Sequence, residues 1–123
     1  HPHVIQPVEW VKGDAGTTLV AYGLGDFKSN HTTPHLESEL AGMLACDFVR
    51  QTEGAEVTIE NVRWIPLVNH TEEGAYNVYP LRDYTDELAK RHVFLGTQPD
   101  AKAQLRQMSE EIVNARGADI PLE

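Results

Sequence analysis

The sequence predicts an α+β chain with strands first and helices last. Runs of β-branched and aromatic residues, separated by glycine turns, fill the stretch from about 4 to 81. Capped patterns of helical period occupy about 85 to 116. That order reads as mainly antiparallel strands followed by helices, or as the tail of a larger layered fold. With 123 residues, the chain has room for one domain at most.

Val4–Val11 (VIQPVEWV) reads as a strand, and 12–16 (KGDAG) as the turn that closes it. Thr17–Leu24 (TTLVAYGL) follows at hairpin distance and reads as a strand covered on both faces. Gly23, Gly25 and Asp26 break it, and 28–39 is polar loop with a short helical turn. Gly42–Arg50 is the next strand, with Leu44, Cys46 and Phe48 on one face. Val57–Val68 changes phase midway, so a bulge near Asn61 is expected to return Val57, Ile59, Val62 and Trp64 to one core. Pro66 argues against a central place in the sheet for the end of this strand. Asn69–Ala75 reads as a turn and Tyr76–Leu81 as a short strand.

Thr85–His92 opens on a cap residue and runs from acids to bases, matching the helix dipole. Ala101, Leu105, Met108, Ile112 and Ala115 recur at helical spacing, opened by Thr97 or Asp100 and ended by Gly117. The terminal Leu122-Glu123 resembles a tag junction and is set aside from function.

The net charge of −9 argues against nucleic-acid or anionic-membrane binding, because both need a basic face. It suits cation binding better. A single cysteine, Cys46, excludes an internal disulfide and a CxxC zinc site; among apolar neighbours it reads as buried and inert. No apolar run approaches the roughly 20 residues that span a bilayer as a helix. Asn30-His31-Thr32 and Asn69-His70-Thr71 match the glycosylation pattern but read as polar turns. His31, His35, His70 and His92 are expected in solvated or capping roles, and Glu72-Glu73 and Glu110-Glu111 on solvated faces. No nucleophile motif or dinucleotide fingerprint is present.

The sharpest chemical feature is His1-Pro2-His3. In an extended segment, residues two apart share a side at about 6.5–7 Å. Pro2 biases His1 towards that geometry. Two imidazoles so placed do not easily chelate one ion. They can each reach one of two metals about 3.5–4 Å apart, and imidazole suits transition metals better than calcium.

HPHVIQPVEW, then LVAYGLGDFKSN, GMLACDFVR and VTIENVRWIPLVNH, in this order, resemble the C-terminal part of the capsule-synthesis CapA family, also called poly-γ-glutamate biosynthesis proteins. These are relatives of calcineurin-like metallophosphoesterases. The matching positions are His1, Pro2, His3, Val4 and Gln6, then Tyr22, Leu24, Gly25 and Phe27. The resemblance implies the C-terminal part of a layered αββα metallophosphoesterase-like sandwich. Residues 1–123 would then be a single partial domain whose upstream half is absent. It implies that His1 and His3 are metal ligands for a divalent pair, with Asp26 and Asn30 as candidate substrate-binding residues. Asp26 stands where the family more often has Asn, and a positional role through turn hydrogen bonds is expected of it. The family's upstream ligand runs do not occur in this sequence, so the chain alone is expected to have little phosphoesterase activity. An exposed apolar edge is expected, covered by its own upstream half or by a second chain. Extracytoplasmic or membrane-associated placement would follow, and a place in a capsule or polyglutamate synthesis complex. The alternative is a non-catalytic scaffold or polymer-binding module of the capsule synthesis or export machinery.

Overall fold

A computed structural model describes residues 2–14, 16–29 and 33–123. Two antiparallel sheets and two helices make an α+β fold with the strands mostly ahead of the helices. β1 (Val8–Gly13) and β2 (Gly16–Ala21) form a two-stranded ribbon. β3 (Leu40–Val49), β4 (Thr58–Glu72) and β5 (Ala75–Pro80) form a sheet with β4 in the centre. α1 (Asp86–Arg91) and α2 (Ala101–Val113) follow. Contrary to the expectation of two covered faces, β2 is exposed at its start and half-buried at its end, because only Leu19 and Ala21 near its end pack against the core.

The expected bulge falls where the phase change requires it. Asp47 pairs with Glu60 and Ala45 with Arg63, so two β4 residues oppose Cys46, and Asn61 has φ of 51°. Cys46 itself is half-buried rather than buried, and Phe48 is exposed. Pro66 does lie in the central strand, against expectation. The amide of Trp64 donates to Pro121, on the side away from β3. By the two-residue period the Pro66 nitrogen faces that same side. There the bridge between Trp64 and Leu122 ends and β5 pairing begins only at Leu67, so no ladder bond is lost. The C-terminal residues are therefore bonded, not idle. The amide of Glu123 donates to the Trp64 carbonyl, and its carboxylate accepts from Arg63 and Arg82.

β4 runs past Val68 to Glu72, and a two-residue loop with Gly74 at φ of 74° starts β5. Asn69 and His70 are thus strand residues, each only 2% exposed, not turn residues. A buried Asn69 is no glycan acceptor.

The core gathers Ile5, Val8, Leu40, Trp64, Val68, Leu81, Tyr84, Leu95, Leu105 and Val113 between the sheet and the helices. On α2 the buried stripe is Ala101, Leu105, Ser109 and Val113: the first two are as expected, and the last two lie one position beyond the expected Met108 and Ile112. Met108 and Ile112 flank it, half-buried. Ser109 replaces an apolar residue because its Oγ accepts the Trp64 indole N–H at 3.1 Å. Gly42 lies beneath that indole: a Cβ there would meet Trp64 Cζ2 at 1.9 Å. Thr85 caps α1 by accepting from the Leu88 amide.

Beyond α2, Arg116 donates to the Glu9 carboxylate at 2.7 Å and lies 4.7 Å from the Tyr22 ring centre. Tyr22 also donates to Glu9, at 2.9 Å. The Arg116 and Tyr22 hydrogen bonds hold the Glu9 carboxyl below its usual 4.5. A carboxyl lowered on folding gives its full stabilisation above the unfolded value and loses it as pH falls through the folded one. Glu9→Gln is therefore expected to flatten the dependence of the unfolding midpoint on pH below 4.5, with no change in that dependence near neutrality. Thermal melts of both proteins across that range check it.

Candidate metal-ligand site

The ribbon places the site. β1 and β2 pair in one register from Gly13 opposite Gly16 to Val8 opposite Ala21. Past Pro7 the same register continues: the Gln6 amide donates to the Gly23 carbonyl, and Ile5 bridges Leu24. Two residues further, His3 meets Asp26, with Nδ1 and Oδ2 2.8 Å apart. Both side chains are accessible, His3 at 54% and Asp26 at 26%.

Three contacts fix the backbone at Asp26. Gly25 has φ of 72°, and a Cβ there would lie 2.7 Å from the Leu40 carbonyl oxygen, so only glycine lets the loop close onto β3. The Gly42 amide donates to the Leu24 carbonyl at 2.8 Å. Asn69 Nδ2 donates to the Asp26 carbonyl, also at 2.8 Å. The Asp26 carboxylate pairs with His3, while its backbone carbonyl is held by Asn69. His1 and Asn30, the other predicted site residues, lie outside the described residues, as does His31.

Behind this pair lies a buried polar network that the sequence reading did not find. The His92 Nδ1 accepts from the Phe94 and Leu95 amides at 3.0 and 3.1 Å. That nitrogen therefore carries no proton, and Nε2–H donates to the Asn69 carbonyl at 2.9 Å. The same nitrogen lies 3.4 Å from the buried Glu39 carboxylate. Next to it, His70 Nε2 is 3.1 Å from Glu72 and Nδ1 is 2.7 Å from the Tyr84 hydroxyl. A carboxylate only accepts, so Nε2 donates to it, and in the neutral ring Nδ1 receives the Tyr84 proton. Burial pushes the Tyr84 phenol well above its usual 10. The two imidazoles meet edge to face, 5.3 Å between centres.

His92 thus caps, as expected, but from inside the core. His35 caps the 3-10 turn Leu36–Glu39 by accepting from the Ser38 amide. Two expectations are corrected. His70 is neither solvated nor capping, because β4 carries it into the core. Glu72 is half-buried between His70 and Arg91, not on a solvated face. The run Asn69-His70-Thr71-Glu72 is itself polar, and the one local signal was the Glu73-Gly74 pair after it, which fits a tight hairpin turn.

Among the described residues, no three His, Cys, Asp or Glu side chains converge as metal ligands. The His3–Asp26 pair fits one ligand with its orienting carboxylate: an imidazole that gives Nδ1–H to a carboxylate carries its lone pair on Nε2, the ligating atom. No helix among the described residues is long and apolar enough to cross a membrane. No family model, curated protein or solved structure matches the chain.

Proposed function

We propose that this chain is the C-terminal segment of a metal-dependent phosphoesterase-like protein of capsule or poly-γ-glutamate synthesis. In this reading, His1 and His3 each give one imidazole to a divalent cation. The observation that supports it most is the His3–Asp26 hydrogen bond, because a carboxylate on Nδ1 fixes the tautomer, orients the ring and raises the basicity of Nε2. A paired metal centre supplies charge stabilisation for the ester oxygens and an activated water. The remaining ligands come from an upstream half or a second chain. The exposed Leu24, Phe27 and Met43 favour such a covering partner.

The test uses the full-length protein that carries this segment. Asp26→Ala is expected to lower metal affinity about 10–100-fold, the usual effect of removing an orienting partner. His3→Ala is expected to lower both metal content and phosphodiester turnover at least as far. Unchanged metal content and turnover in His3→Ala would end this reading and leave the scaffold as the better account. Polymer binding that survives chelation would point the same way.

A further inference from the structure

We propose that Asn69 is the positioning residue of the His3–Asp26 pair, a role that deepens the metal-ligand reading of His3 and rests on it for its purpose. Asn69 is the first β4 residue past the start of β3, since Leu40 pairs with Val68. The loop carrying Asp26 runs beside the start of β3, where the Gly42 amide donates to the Leu24 carbonyl. There the Asn69 amide holds the Asp26 carbonyl at 2.8 Å. The Asn69 backbone carbonyl is held in turn by His92 Nε2. A continuous set of hydrogen bonds therefore runs from the core through Asn69 and Asp26 to the exposed imidazole of His3.

The choice of residue is informative. Asn69 is 2% exposed, and its Oδ1 is buried with no hydrogen-bond partner among the described residues. A buried amide with an unpaired acceptor costs stability that an apolar side chain would not. Local cost of this kind belongs where a group has another task. The one task its side chain performs is to hold Asp26.

The test is nuclear magnetic resonance on the full chain, reading the tautomer of His3 from long-range proton–nitrogen correlations at mildly alkaline pH. In the natural sequence His3 is expected as the Nδ1–H form, and a through-hydrogen-bond coupling is expected between the Asn69 side-chain amide and the Asp26 carbonyl. Asn69→Ala is expected to move His3 towards the tautomer mixture of a free imidazole. Asn114→Ala is the control. It also removes an amide that ties a loop, at Ile120, and should leave His3 unchanged. An unchanged His3 signature in folded Asn69→Ala overturns the proposal. Should that variant not fold, absence of the coupling in the natural chain overturns it alone, and its presence supports it. Zinc titration separates the two readings: an Asn69-dependent tautomer with no zinc-induced shift at His3 keeps the positioning role and removes the metal.

Discussion

Gly42→Ala is expected to destabilise the protein by about 3 kcal/mol, the upper part of the usual range for overpacking. The new methyl would lie 1.9 Å from Trp64 Cζ2, inside any allowed contact. The indole cannot simply swing away. It is fully buried, and its N–H is bonded to Ser109 on α2. Relief requires either breaking that bond or parting α2 from the sheet. For a domain of this size the loss corresponds to a melting temperature lower by roughly 10–15 °C. Gly54→Ala is the comparison, since a Cβ there meets nothing within 4 Å and only its φ of 80° opposes it. Melting curves followed by circular dichroism should rank Gly42→Ala clearly below Gly54→Ala. Equal midpoints would mean that the indole has another place to go.

The second large effect is expected at His92. Its ring accepts from two backbone amides, donates to the Asn69 carbonyl and faces the Glu39 carboxylate, all away from water. His92→Ala leaves each of these groups without its partner. A loss of about 3–5 kcal/mol is expected, the range for removing one member of a buried polar or ionic set. The penalty includes leaving Glu39, 4% exposed, without the imidazole. Adding Glu39→Gln to His92→Ala should therefore cost less than the two single changes summed. Urea unfolding midpoints of the two single variants and the double variant measure the coupling. Strict additivity would show that Glu39 draws nothing from His92.

Most of the elements were legible because they rest on local rules. The Asn61 bulge followed from a parity change in the apolar pattern, the α1 cap from Thr85 followed by acids, and the 3-10 turn from a short polar stretch before β3. The errors share one cause. Asn69, His70 and Thr71 are polar and match a glycosylation pattern, so they looked like a turn. Their pairing with β5 and their burial are tertiary facts that polarity along the chain does not encode. The same holds for Pro66, whose missing N–H is harmless only because of where the C-terminal bridge stops. On α2, the Trp64 indole selected Ser109 for the core, which no apolar stripe can foresee. At the candidate site, His3 and Asp26 were each visible, but not as partners. The pairing could have been obtained by carrying the hairpin alternation outward from the 13–16 turn, past Pro7, to the tenth residue before that turn's first glycine.

That hairpin gives the molecule an uneven tolerance to insertions and deletions. The 13–16 turn lies at the far end of the ribbon, about 35 Å of extended strand from His3. It nonetheless sets the frame in which the two side chains meet. One residue added on either arm, if not absorbed as a bulge, would present the imidazole and the carboxylate on opposite faces. Length changes in this hairpin that keep the pair intact should therefore add or remove the same number of residues on each arm, whereas the 51–56 turn beyond the bulge is under no such parity.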